Sequence, residues 1–302
     1  MNARLAALCF ALGCGGGTLA SPRTQTVQTT PAALGGAPVE YVVWAPEDLQ
    51  ADERLPLVVF LHGGGDNPYT FIRYGLEARL NEAVRDGAIP RVVMVFPQGD
   101  DGFWVNWYDG TRNYEDWIVD GVMNEVADRW HTAACPRECH VMGVSMGAHG
   151  ALRFALHRPE RFASVTALSG PIFDVPLMAE FTGNRLFASL IPMDRIFGPT
   201  SPRSRLRNED FYTRWRSADD VGMPVFLSWG SNDRGGIDRS NAKFARHLRE
   251  AGVPLTAFEY DGNHSWVSWT PVIVEALRVQ VAGAELSADF ASRPNGSEGS
   301  DS

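Results

Sequence analysis

Short apolar runs recur between residues 39 and 260 and alternate with longer stretches of helical period. Val39–Trp44 alternates apolar and polar positions and predicts an outer strand, whereas Leu57–Leu61 is apolar throughout, as in a strand covered on both faces. Arg91–Phe96, His140–Val144, Phe162–Leu168, Pro224–Trp229 and Leu255–Tyr260 complete the strands. Helical periods lie between them at about 70–86, 115–131, 147–157, 239–251 and 266–282. Strand and helix in alternation predict right-handed crossovers and an α/β fold, a mostly parallel sheet with helices on both faces. Ligands of such sheets bind beyond the carboxyl ends of the strands, so the residues after each strand are the candidates for chemistry.

The two ends fall outside this pattern. Residues 1–20 read as an export signal, with Arg4 before the apolar run Leu5–Leu12. Eight apolar residues are too few to span a bilayer, where about 20 are needed, but they suit a secretory leader. Gly13-Cys14 after the run is similar to a lipobox, with Ala11 where Leu is usual. Cys14 is therefore a candidate lipidation site, and ordinary cleavage near Ala20-Ser21 is the alternative. Either outcome places the chain in the periplasm, on the cell surface or outside the cell. Residues 21–38, rich in Thr, Pro, Ala and Gly, read as a tether, and 284–302 as a disordered acidic tail. One folded domain, 39–283, is left between them.

Composition adds exclusions. With 36 acidic against 27 basic residues, the net charge of −9 argues against nucleic acid as a partner. The 44% hydrophobic content excludes a disordered chain. Cys135 and Cys139 lie in a short helix-to-strand loop. In an oxidising compartment a local disulfide is plausible; two free thiols or a metal pair are the alternatives. No further Cys or paired His sits at zinc spacing nearby, so no metal site is predicted.

The strand ends carry hydrolytic chemistry. After the central strand comes Gly143-Val144-Ser145-Met146-Gly147, between strand and helix. The glycines clear room for Ser145 to stand on a tight turn at a helix N-terminus, where developing negative charge is favoured. A serine hydroxyl needs a base, and the base needs an orienting group. Asp233 and His264 follow the next two strand ends in the order serine, acid, histidine. Asp238 and Asp261 are the rival acids, one entering a helix and the other too close in sequence to His264. His149, four residues past Ser145, packs or hydrogen-bonds beneath the site on this reading. His62-Gly63-Gly64-Gly65 after the strand at 57–61 supplies an oxyanion loop, with donors from Gly64 and from Met146 N–H.

His62-Gly63-Gly64-Gly65, Phe96-Pro97-Gln98-Gly99, Gly143 through Leu152 and His157-Arg158-Pro159 resemble one family of esterases. It contains esterase D (S-formylglutathione hydrolase), feruloyl esterases, polyhydroxybutyrate depolymerase-like proteins and mycolyltransferases. The resemblance covers roughly residues 39 to 283, with Ala148 where many relatives have Gly. It implies an α/β-hydrolase fold, no metal or organic cofactor, and the roles of nucleophile, acid and base for Ser145, Asp233 and His264. Within that family an exported chain fits a carboxylester hydrolase better than a glutathione thioesterase. An acyltransferase with the same triad is the alternative, and a non-catalytic carbohydrate-binding protein on this fold is a third reading.

Specificity is expected in the insertions. Residues 171–221 carry many aromatics and arginines and read either as a lid over an acyl or aryl pocket, with arginines placed to meet an anionic substrate, or as a surface excursion with solvated arginines. Trp104 and Trp107 follow a strand end and, with His62, Gly63 and Gly65, are candidate substrate contacts, although packing explains the aromatics equally well. The expected substrate is a small-molecule or polysaccharide-linked ester. The tryptophans after His264, Trp266 and Trp269, read as anchors of the last helix.

Overall fold

The computed structural model describes residues 24–172, 174–176, 179–180, 191–199, 210–233 and 235–291. Eight strands form one sheet: β1 (Thr24–Thr29), β2 (Val39–Trp44), β3 (Leu57–Leu61), β4 (Val93–Pro97), β5 (Cys139–Val144), β6 (Ser164–Leu168), β7 (Val225–Asn232) and β8 (Leu255–Asn263). Their order is β1-β2-β4-β3-β5-β6-β7-β8. β1 and β2 run antiparallel to their neighbours, and all pairs from β4 to β8 are parallel. Every residue of β3 to β6 is buried, because helices cover both faces.

The principal helices are α1 (Leu76–Arg85), α2 (Tyr114–Asp116, Trp117–Val122 and Met123–Trp130), α3 (Met146–His157), α4 (Ile237–Glu250) and α5 (Trp266–Gln280). Side chains alternate across each strand, so two apolar layers form. Val59, Val141 and Val165 face α2, α3 and α4 on one side. Val58, Met142 and Phe226 face α1 and α5 on the other.

Two expectations are corrected at the ends. The segment read as a tether contains β1, which pairs residue for residue with β2 from Thr24↔Trp44 to Thr29↔Val39. Its alternating Thr and Gln with one central Val suits an edge strand, and Val27 and the following Leu34 enter the core. The segment read as a tail packs at its start: Ser287 N–H donates to Glu275, and Phe290 lies 5.2 Å from Phe258. Residues 1–23 and 292–302, with the leader, Cys14 and the end of the tail, lie outside the described residues.

The predicted helix at 70–86 is two pieces, Thr70–Arg73 and α1, broken where Gly75 takes a φ of 80°. Cys135 and Cys139 form a disulfide that closes the loop into β5.

Candidate active site

The turn from β5 into α3 holds Ser145 at φ 54° and ψ −121°, a conformation that L-residues rarely adopt and that persists only where the surroundings enforce it. The flanking glycines permit that turn. A Cβ on Gly143 would lie 2.1 Å from Gly147 O, and one on Gly147 only 1.9 Å from Leu61 O. The strand, turn and helix therefore interlock with β3 at backbone contact, and Ser145 projects at the first turn of α3. The helix dipole points its positive end there.

Asp233 and His264 reach Ser145 through the register of β7 and β8. Both strands run further than their apolar runs, and Asn232 pairs with Asn263 beyond a bulge at Gly230. The next residues, Asp233 and His264, thus leave the sheet side by side. His264 Nδ1 lies 2.9 Å from Asp233 Oδ1, and His264 Nε2 lies 2.8 Å from Ser145 Oγ. A carboxylate only accepts, so Nδ1 carries the proton and Nε2 is left to accept from the serine hydroxyl. The Asp233 side chain is wholly buried, and its other oxygen accepts Gly230 N–H at 2.9 Å. Asp238 and Asp261 make no contact with His264 among the described hydrogen bonds.

A second serine–histidine contact, His140 Nδ1 to Ser164 Oγ at 2.8 Å, lies at the opposite, amino-terminal end of β5 and β6. It has no carboxylate beside it among the described bonds and is a buried packing contact.

The triple-glycine loop is held on three sides. His62 is buried; its Nε2 accepts Gly99 N–H at 3.1 Å and its Nδ1 donates to Gly63 O at 2.8 Å. Burial pushes its pKa down, which keeps the ring neutral and able to accept. Gly65 N–H donates to Asp101 Oδ1 at 2.8 Å, and Trp266 Nε1 donates to Asp66 Oδ2 at 3.1 Å. A Cβ on Gly63 would come within 3.3 Å of Ser145 Cβ, so the loop backbone passes directly over the serine.

A cleft of about 500 Å³ opens here, lined by Gly63, Gly64, Ser145, Met146 and His264 with Asp66, Tyr74, Asp101, Phe103, Trp266 and Trp269. Pro171, Ile191 and Ile237 close its far side. His149 lies below it, 1% exposed, with Nδ1 donating to Pro171 O at 3.2 Å. Its pKa is pushed down to about 3, first by burial and then by Arg153.

Four of the five expected substrate contacts are corrected; Gly63 is the one that lines the cleft. Trp104 has no exposed surface: its ring is clamped between Gly99 and Gly150, where a Cβ would stand 2.5 and 2.6 Å away, and its Nε1 donates to His62 O. Trp107 lies off the cleft, with the guanidinium groups of Arg112 and Arg195 at 5.8 and 5.2 Å from its ring. His62 supports the loop from beneath and does not line the cleft. Gly65 also stands off the cleft wall and serves by holding Asp101. Trp266 and Trp269, read as anchors of the last helix, are buried in the core beneath α5 and also line the cleft; Trp269 sets its ring edge-on to His264 at 4.9 Å. The signal for this is their position directly after His264.

Of the insertion, Met193–Phe197, Phe211–Arg214 and Ala218–Val221 are short helices. Phe197 packs on Phe103, Arg195 pairs with Asp109, and Phe211 and Trp215 are buried against Phe244. Ile191 alone among the described residues of 174–221 reaches the cleft. Phe173, Phe181, Phe187, Arg203, Arg205 and Arg207 lie outside the described residues.

The family model described as "Putative esterase" matches residues 33–279. The chain belongs to this esterase family. Among its relatives, Esterase Rv1288 of Mycobacterium tuberculosis is 29% identical over 263 residues, covering 80% of this chain. The chain spans little more than half of that relative, 56% of its length. Diacylglycerol acyltransferase/mycolyltransferase Ag85A of Mycobacterium tuberculosis is 23% identical over 268 residues, 78% of each chain. Among solved structures, the Staphylococcus aureus serine hydrolase FphF superposes with a TM-score of 0.71 at 21% identity, over 85% of this chain and 98% of that one. At that identity the likeness is one of architecture, and it agrees with the α/β-hydrolase sheet of this family member.

Proposed function

We propose that the protein is an exported serine esterase that cleaves carboxylic esters through an acyl-enzyme. The observation that carries this reading is the relay Asp233–His264–Ser145, at 2.9 and 2.8 Å, on a strained turn at the floor of an open cleft. His264, held in one tautomer by Asp233, takes the proton of Ser145 as Oγ attacks the ester carbonyl. The oxyanion of the tetrahedral intermediate is met by N–H groups of the Gly64 loop and of Met146, whose amide belongs to the first turn of α3 and has no partner within the helix. Collapse expels the alcohol, which takes the proton from His264. Water, activated by the same imidazole, then releases the acid and restores Ser145.

Export is supported by the leader pattern at 1–20 and by the Cys135–Cys139 disulfide, a bond that persists in oxidising compartments. Lipidation at Cys14 belongs to the same reading. The substrate is a neutral small-molecule or polysaccharide-linked ester, which the cleft's aromatic walls suit. The likeness to an acyltransferase favours one second reading, in which an alcohol in place of water accepts the acyl group.

The test is a panel of p-nitrophenyl esters differing in acyl length, assayed with the wild type and Ser145→Ala. The expected result is turnover lowered by at least about 10³-fold in the variant. Equal rates would sink the assignment. Product analysis with an added alcohol separates transfer from hydrolysis.

A further inference from the structure

The oxyanion loop and the base sit on distant parts of the sheet. The loop follows β3 and His264 follows β8, with β5, β6 and β7 between them. Acyl transfer requires their spacing to be held, because misplacement by about 1 Å can cost about 10²-fold in rate. Ladder hydrogen bonds fix the strands but not the loops beyond their ends.

One residue spans that gap. Trp266, two positions after His264 and only 5% exposed, donates Nε1–H to Asp66 Oδ2 at 3.1 Å, joining positions 200 apart in sequence. Its ring lies 5.8 Å from Phe60 in β3 and stacks at 6.0 Å on Tyr74, with the planes 3° apart. Trp266 therefore touches the strand before the oxyanion loop, the last residue of that loop and the chain beyond it. On its other side it meets Trp269 edge-on at 5.9 Å, and Trp269 meets His264 edge-on at 4.9 Å. Asp66 in turn crowds the loop: its Oδ2 stands 3.2 Å from where a Cβ on Gly63 would be, beside Ser145. The indole N–H fixes the direction of that carboxylate, and with it the backbone of the loop beside Ser145.

We propose that Asp66 and Trp266 are a positioning pair that ties the oxyanion loop to the turn bearing His264. The role rests on the serine-esterase reading and deepens it, since neither side chain reacts. The interaction is one neutral-donor hydrogen bond to a carboxylate, so its loss is worth about tenfold in rate.

The test is a double-mutant cycle on a p-nitrophenyl ester, with thermal melting of each protein. Trp266→Phe keeps the ring and removes the donor; Asp66→Ala removes the acceptor; Asp66→Asn keeps an acceptor. We expect Trp266→Phe and Asp66→Ala each to lower kcat about tenfold with KM within about twofold, and the double variant to be no slower than either single one. Asp66→Asn should retain most of kcat, a rescue that mere loss of packing would not give. Additive losses, or a wild-type kcat in Trp266→Phe, overturn the pair while leaving the esterase reading intact. If instead the wild type is no faster than Ser145→Ala, the esterase reading fails and takes the positioning role with it.

Discussion

Asn232 and Asn263 are cross-strand partners, one residue before Asp233 and His264. That single pairing brings Asp233 and His264 together, and it depends on a close approach between Gly230 and Gly262. A Cβ on Gly230 would stand 2.6 Å from Gly262 O, a backbone atom that cannot swing aside. Gly230→Ala should therefore part the two strand ends and pull Asp233 off His264. Ester turnover is expected to fall about 10²-fold, and the loss should exceed any change in thermal stability. A variant with normal kcat would show that the register tolerates the shift.

Acid stability should decline from the ordinary histidine range downward. His62, His140 and His149 are buried, and each has a depressed pKa, led in every case by burial: down to about 4 for His140 and about 3 for His149. A histidine with a depressed folded pKa binds its proton more readily when unfolded. Its contribution to stability is thus fully present above the unfolded value of about 6.5 and is lost as pH falls towards the folded value. Urea midpoints measured from pH 7 to pH 4 should fall, and His149→Phe should flatten the slope. A midpoint independent of pH over that window would show that these rings are not the acid-sensitive groups.

Trp104 and Trp107 should separate cleanly in kinetics and stability. Trp104→Ala empties a sealed slot between Gly99 and Gly150 and should cost about 3–5 kcal/mol of stability. Trp107→Ala removes a ring that meets two arginines away from the cleft, so KM for any ester should stay within about twofold. A large rise in KM for Trp107→Ala would restore it as a substrate contact. Differential scanning calorimetry beside initial-rate measurements decides both.

Esters with a free carboxylate should be poor substrates. Asp66 and Asp101 both face the cleft, and no lysine or arginine stands among the described residues that line it. Like charge in a confined cleft lowers both local substrate concentration and affinity. A monosuccinate aryl ester should show a kcat/KM at least about tenfold below that of the matched butyrate, with the gap narrowing as salt is raised. Equal values at low salt would mean that the carboxylates are not felt by the substrate.

The parts of this fold that were legible in the chain were those set by local period and motif. Apolar runs marked β2 to β8, and glycine spacing around Ser145 marked the turn whose backbone admits no Cβ at Gly143 or Gly147. Position then sufficed to choose Asp233, directly after a strand end, over Asp238, which enters a helix, and Asp261, which is too close in sequence to His264. β1 escaped because Thr, Gln and a single Val carry little apolar signal, and only pairing with β2 makes that segment a strand. The roles of the tryptophans in the cleft are illegible for a related reason. Side-chain type and a strand-end position are shared by Trp104, which is sealed, and Trp266, which lines the cleft. Burial is decided by contacts 42 and 200 residues away.

The central claim is that Ser145 carries the acyl group. The most direct measurement is mass spectrometry of the peptide containing Ser145, after rapid acid quench of enzyme turning over p-nitrophenyl acetate. An acetyl group on Ser145, absent from Ser145→Ala and formed fast enough to account for product release, is the predicted result. Undiminished ester cleavage in Ser145→Ala, with that peptide unmodified in the wild type, would contradict it.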